Sequence, residues 1–365
     1  MNKKIFIKGI LIPIWITLSI FPLIGNATQE VWNLKDECVG RFQLNIPFDA
    51  DVATYPLSRI KNEIQNPGGQ QIFQFDDGEE AASMSLEYAR QLFISSQLTR
   101  NEIDNLKSTF LQQRKILQKR FAESLSKKDR EISVATLHLE QDNVQAWSVA
   151  DGITALINVE NVVLLARFTA QDNLTSNKED LEKFARNFKS RKMFTLPRES
   201  GVCIPFSFIN DSVDNPRRIS TTFRMRSHPD ITISLEETVI DVAPDPKESE
   251  NSDIKKEMNH FWSQYRNIDK GESIKSEWIL PATRSVSLAG HNGEASFVKI
   301  VRKDKHVDFG YLAITKLNQG NKQKSLRLLL IQNSEYSRPK QIPPLEKNDI
   351  YRLAETIARS VKIRN

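Results

Sequence analysis

Cysteine is scarce in this chain. Two in 365 residues are too few for a small disulfide scaffold. Glycine (13) and proline (15) are sparse as well, which excludes a collagen-like or Gly/Pro-rich low-complexity chain. The five histidines, His138, His228, His260, His291 and His306, never fall in H-x-H, H-E-x-x-H or H-x₃-H, so no metal site is expected. The G-x-S-x-G elbow, the P-loop and G-x-G-x-x-G are all missing, and with them the signatures of α/β-hydrolases and of phosphate-cradling folds. No catalytic and no cofactor-binding residue is therefore expected. Charge of one sign is lacking too: 51 basic and 46 acidic residues leave +5, with no basic block that would indicate nucleic-acid binding. A mean hydropathy of −0.44 excludes a multi-span membrane protein. What remains, 39% hydrophobic and 27% charged, is an ordinary globular composition, with length for two domains.

The one long apolar run stands at the start. Lys3, Lys4 and Lys8 lead into an uncharged stretch from Gly9 to Ile24. Gly25-Asn26-Ala27 then places small residues at −3 and −1 of a cut after Ala27. A basic end, an apolar run and a small-x-small site make a secretory signal peptide over 1–27. The competing reading is an uncleaved anchor. Pro13 and Pro22 interrupt the run, which is shorter than the ~20 residues of a spanning helix. Cleavage near Ala27 removes three lysines, lowers the charge from +5 to +2, and leaves no segment for stable membrane insertion. Export also exposes the two cysteines to an oxidising compartment.

The remaining chain reads as two copies of one unit. Leu181–Arg191 (LEKFARNFKSR) and Ala354–Arg364 (AETIARSVKIR) coincide at Glu182/Glu355, Ala185/Ala358, Arg186/Arg359, Lys189/Lys362 and Arg191/Arg364. The cysteines give a second anchor: Cys38 and Cys203 each open a short alternating apolar run followed by a polar, Asp-containing stretch. The expected boundaries are 28–197 and 198–365, joined through Met193–Gly201. Within the first copy, strands are expected near 39–46, 57–65 and 70–76. Helix follows over 83–97 and again after the capping box Thr99/Glu102. Four strands come next, near 131–140, 144–150, 153–158 and 161–170, and Ser176/Glu179 opens a closing helix. The second copy repeats the order: strands near 203–209, 217–227 and 230–240, a polar loop at 243–252 and a helix near 253–266. Four strands near 277–288, 294–303, 307–317 and 325–332 precede a closing helix at 347–362. Short polar connections between successive strands imply antiparallel meanders. The fold class is α+β: two similar domains, each an antiparallel sheet with helices packed on it.

Three clusters invite a functional reading, and each has a plainer one. Asp76-Asp77 and Glu79-Glu80 are carboxylate pairs, read here as acids in a turn before a helix start. Arg114, Lys115, Lys119 and Arg120 share a helix that could face an acidic partner, but charge runs are usually solvated faces. Phe261, Trp262 and Tyr265 could anchor an interface or fill a core. Trp32, Trp147 and Trp278 read as core or strand-face residues. Cys38 and Cys203 leave two readings open: a disulfide between the starts of the two domains, or one buried thiol in each.

Cys38-Val39-Gly40-Arg41-Phe42-Gln43-Leu44-Asn45-Ile46-Pro47 after a signal peptide resembles the start of the N-terminal domain of type VI secretion lipase-immunity proteins. Gly201-Val202-Cys203-Ile204, with Phe208-Ile209-Asn210 after it, is similar to the start of their C-terminal domain. Ile204-Pro205 stands where a small, Gly-rich pair is expected. The resemblance implies a periplasmic immunity protein that binds a phospholipase effector 1:1. It would occlude the effector's lid or active-site entrance between its two domains, without chemistry or cofactor of its own. The partner-binding residues are not placed by the resemblance. The alternative is a periplasmic enzyme or envelope-assembly factor with a dispersed site.

Overall fold

The computed structural model describes residues 32–364 apart from 83, 89, 125–133, 151, 169–173, 212–214, 242–249, 270–271 and 318–321. The signal segment, most of the 243–252 loop and the Asn318–Asn321 turn lie outside the described residues.

The apolar run at Cys38 forms a hairpin, β1 (Leu34–Val39) and β2 (Phe42–Pro47). Its turn is Gly40-Arg41, with Gly40 at φ +58°. A short β3 (Ala50–Val52) follows, then α1 (Leu57–Gln65). The expected strand at 57–65 is thus a helix: Ile60 and Ile64 are one turn apart and both buried, the spacing that lays apolar side chains on one helical face. At 70–76 there are only isolated bridges from Gln74, to Thr54 and to Glu80. The helix expected over 83–97 is instead two strands, β4 (Leu86–Tyr88) and β5 (Leu92–Ile94). Met84, Leu86, Glu87 and Leu92 are good helix formers, but here each short strand is claimed by a longer partner strand.

The capping box opens α2 (Arg100–Ser124) as its residues require. The Thr99 N–H donates to Glu102 Oε2 at 2.8 Å, and the Glu102 N–H donates to Thr99 Oγ1 at 3.4 Å. A meander follows: β6 (Val134–Leu137), β7 (Val144–Val149), β8 (Gly152–Val159) and β9 (Val162–Phe168). These strands with β5 make an antiparallel sheet in the order β5-β9-β8-β7-β6. Helix α3 (Leu174–Asn187) starts before Ser176, so Ser176 lies inside its first turn. A short β10 (Phe188–Ser190) ends the first half.

The second half opens with the hairpin β11 (Gly201–Ile204) and β12 (Ser207–Asn210). Then come β13 (Arg217–Met225), β14 (Ile231–Asp241) and α4 (Glu250–Ile268). β15 (Ser273–Trp278), β16 (Arg284–Leu288), β17 (His291–Arg302), β18 (Val307–Lys316) and β19 (Lys322–Gln332) follow. Helix α5 (Lys347–Ser360) and β20 (Lys362–Ile363) close the chain. The large sheet runs β15-β17-β18-β19-β14-β13-β3, with β16 beside β17 and β4 beside β13.

Alternation divides that sheet into two faces. Ile233, Leu235, Leu328, Leu330, Tyr311 and Ala313 point into the main core, which also holds α5 through Ile350, Leu353 and Ile357. Leu312, Ile314, Leu329 and Ile331 point the other way and pack beneath α4 on Met258, Phe261 and Trp262. The sheet does not stop at residue 198. β3 and β4, both from the first half, pair antiparallel with β13 at Phe223–Met225 and Arg217–Ile219. Residues Trp32–Asn365 accordingly form one compact unit.

Candidate functional site

Besides the strand pairing on β13, the two halves are fastened covalently. Cys38 on β1 and Cys203 on β11 form a disulfide, buried with Phe208. Beside it, the Gly40 N–H donates to the Cys203 carbonyl at 2.9 Å, and the Cys203 N–H returns to the Gly40 carbonyl at 2.8 Å. Two small sheets meet here, ordered β1-β2-β20 and β10-β12-β11. Each half's final strand therefore pairs with the other half's opening hairpin. Buried charges brace the joint. Glu37 accepts from Arg191 at 2.5 Å and from the Phe194 N–H at 2.7 Å. Glu237 pairs with Arg217 and accepts the Arg41 N–H at 3.0 Å. Arg364 crowds the same region. Burial, reinforced by the charges of Arg191 and Arg41, lowers its guanidinium to about 10.

A cleft of about 890 Å³ opens between the halves. One wall is Glu87 on β4 and Arg90 in the β4–β5 connection; the floor is the α4-side face of β13, β14 and β19. Arg218, Glu236 and Arg327 project from that floor, Glu257 reaches in from α4, and Ile240 stands 43% exposed at the rim. A second cavity, about 520 Å³, lies at the other end of β14 near Thr232. Its lining is acidic, with Asp77, Glu79, Asp269 and Glu335. Both cavities exist because the first half packs on β13 and α4 covers only β15 and β17 to β19.

The residues singled out in the sequence fall elsewhere. Asp76 and Asp77 do not precede a helix. They reach across to the second half, Asp76 to Arg226 at 3.2 Å and Asp77 to Arg224 at 2.8 Å, because the chain beyond them enters β4 and runs along β13. Glu80 pairs with Arg59 at 3.1 Å. Arg114 donates to Thr136 Oγ1 at 2.6 Å and Lys119 lies 3.8 Å from Glu123; Lys115 and Arg120 are exposed. Phe261, Trp262 and Tyr265 are core residues under α4. Trp147 is buried against Phe110, while Trp32 and Trp278 are half-buried. His138, His260, His291 and His306 are exposed, and His228 is half-buried beside Trp32. Among the described residues no group of three His, Cys, Asp or Glu side chains is placed to hold a metal ion. The charges of the cleft floor were missed. Their signal is the alternation itself: Arg218, Glu236 and Arg327 fall on the side of their strands opposite the core-facing Ile219, Leu235 and Leu328.

Residues 195–365 match the family model described as the Tle cognate immunity protein 4 C-terminal domain. Residues 195–365 are thus a domain of the Tle cognate immunity protein family. The chain's fold extends the likeness over the first half. The protein is similar to a chain of the Tle4–Tli4 complex, with a TM-score of 0.56 at 13% identity, covering 91% of this chain and 97% of that one. It is also similar to the type VI immunity protein TplEi from Pseudomonas aeruginosa complexed with "L" peptide (TM-score 0.52, 14% identity, 91% and 98% covered). The same protein without peptide gives 0.52 at 13% identity, with 91% and 97% covered. No curated protein sequence matches. No helix among the described residues is long and apolar enough to cross a membrane.

Proposed function

We propose that this protein is a periplasmic immunity protein that binds a type VI secretion phospholipase effector and blocks its lid or active-site entrance. The match of residues 195–365 to the Tle cognate immunity family carries the reading. The Tle4–Tli4 complex and TplEi with its peptide are bound forms of proteins with this fold. The inter-half cleft is the surface that receives the effector. Binding is stoichiometric and nothing is turned over. Export relies on residues 1–27, with cleavage near Ala27.

In this reading 28–197 and 198–365 are two copies of one unit, serving as two jaws. The strand orders β5-β9-β8-β7-β6 and β14-β19-β18-β17-β15 support it, since the elements correspond in sequence order.

A growth assay tests the proposal. The product of the neighbouring reading frame is sent to the periplasm alone, with this protein, or with this protein lacking residues 1–27. Killing that only the exported form relieves is the expected result. Rescue by the form without residues 1–27, or a harmless neighbour, overturns it.

A further inference from the structure

One face of the large sheet changes character half-way across. Beneath α4 it is apolar. Beyond the helix, the same face of β13, β14, β19 and the end of β18 carries Arg218, Glu236, Arg327 and Lys316, placed together by the pairings Glu236↔Arg327 and Lys316↔Ser325. Glu257 joins them from α4. The five charges form one line. Arg218 lies 3.4 Å from Glu236; Arg327 lies 3.9 Å from Glu236 and 3.1 Å from Glu257; Lys316 lies 2.6 Å from Glu257. Signs alternate, plus-minus-plus-minus-plus. Burial alone would raise the Glu257 carboxyl, but Lys316 and Arg327 hold it below the ordinary range. This ladder of charges ends in the cleft, where the Arg218 side chain is 49% exposed against 10% for Glu236.

Partly exposed ion pairs stabilise a fold little, whereas complementary charge confers specificity and a fast on-rate on an interface. Glu236 and Arg327 face each other on neighbouring strands ~4.8 Å apart, whereas Arg218 faces Thr238 and so reaches Glu236 diagonally, a step of ~7–8 Å; the ladder crosses the sheet obliquely. Side chains at i, i+3 and i+4 of an α-helix lie ~5–6 Å apart. A helix laid along that oblique line therefore meets its charges in turn.

The geometry points to an α-helical segment of the lipase effector as the occupant of this cleft. It crosses β13, β14 and β19 with the opposite order of signs: one carboxylate over Arg218, a cation one turn on over Glu236, and a second carboxylate over Arg327. An apolar residue of the helix covers Ile240. This inference rests on the immunity reading above.

The test titrates catalytically inactive effector into the full mature protein and reads Kd, association rate and salt dependence. Its variants are Arg218→Glu, Arg218→Gln and, as a remote control, Arg100→Glu, whose side chain is 93% exposed. Arg218→Glu should weaken binding at least ~10-fold, chiefly through the on-rate, with Arg218→Gln intermediate. Wild-type affinity should fall as NaCl rises, while Arg100→Glu should stay within about twofold. Melting curves confirm that each variant is folded; should Arg218→Glu melt early, Arg218→Gln carries the comparison. Hydrogen exchange on the effector should show one helix protected by wild type and exposed with Arg218→Glu. Wild-type affinity in both Arg218 variants, equal loss in Arg100→Glu, or protection confined to a non-helical segment overturns the ladder. Failure of the wild type to bind the effector at all overturns the immunity reading instead.

Discussion

Arg191 and Arg364 make the same contact in opposite directions. The Arg191 N–H donates to the Phe206 carbonyl and the Arg364 N–H to the Arg41 carbonyl, both at 2.9 Å. Phe206 and Arg41 are each the second turn residue of the opening hairpin of a half. The guanidinium groups then fasten the neighbouring chain. Arg191 donates to the Cys38 and Ile204 carbonyls at 3.3 and 3.4 Å; Arg364 donates to the carbonyls of Pro197, at 3.3 Å, and Gly201. The joint between the halves is thus a reciprocal exchange of closing strands, with the disulfide at its centre.

Thiol labelling of the denatured, unreduced protein should find no free cysteine; two labelled thiols would refute the bond. Replacing both residues in Cys38→Ser/Cys203→Ser releases a closed loop spanning a sequence separation of 165. The chain-entropy model puts that loss at roughly 5 kcal/mol. Urea titration of oxidised protein against the double variant measures it.

Gly40→Ala should destabilise the joint more than a surface substitution does. Gly40 sits at φ +58°, where a side chain is strained, and an added Cβ would run into the Glu237 carboxylate. That carboxylate holds Arg217 and the Arg41 N–H, so it has nowhere to move without breaking a buried pair. A loss of about 2 kcal/mol or more is expected from strain and the disturbed pair together. An unchanged denaturation midpoint would contradict this.

Asp230 should make stability fall as pH rises. Burial holds its carboxyl above the ordinary range, although Gln332 donates to it and His228 lies near; its Oδ1 has no partner. A carboxyl raised in the folded state gives its full stabilisation below the unfolded value, and loses it as pH climbs through the folded value. Asp230→Asn should therefore be more stable than wild type at pH 7, by about 1 kcal/mol. The advantage should shrink as pH falls towards ~4, the unfolded carboxyl's range. Melting temperatures across pH 4–8 decide it; a variant less stable at every pH would refute the assignment.

Thr99→Ala should cost about 1 kcal/mol, the usual worth of an N-cap. The Thr99 backbone and side chain also hold the Glu102 carboxyl below its ordinary range. Effector affinity should not change, because the first turn of α2 takes no part in the cleft. A loss of binding in Thr99→Ala would enlarge the interface beyond the cleft.

Much of the second half is legible in its residues. β13, β14 and β17 to β19 are long, alternating strands, and Ile233, Leu235, Leu328 and Leu330 mark their core side without help from the rest of the chain. α5 shows itself through Ile350, Leu353 and Ile357. The first half is harder to read because its elements are short. Residues 57–65 hold only three large apolar residues, and the i, i+4 pair Ile60/Ile64 passes for part of a strand. Residues 84–92 favour helix locally, and become strands because β13 and β9 offer unpaired edges.

The sequence by itself determined which residues are apolar, their period, the capping box at Thr99 and Glu102, and the likeness of Arg191 to Arg364. Those properties depend on neighbours a few positions away. Tertiary structure alone decided that β3 and β4 extend the second half's sheet, that closing strands are exchanged, and that α4 leaves β13 and β14 uncovered. It alone aligned Arg218, Glu236, Arg327, Glu257 and Lys316. They are drawn from four strands and one helix, separated by up to 109 positions (218 to 327), and only strand register and helix placement bring such charges within ion-pair distance.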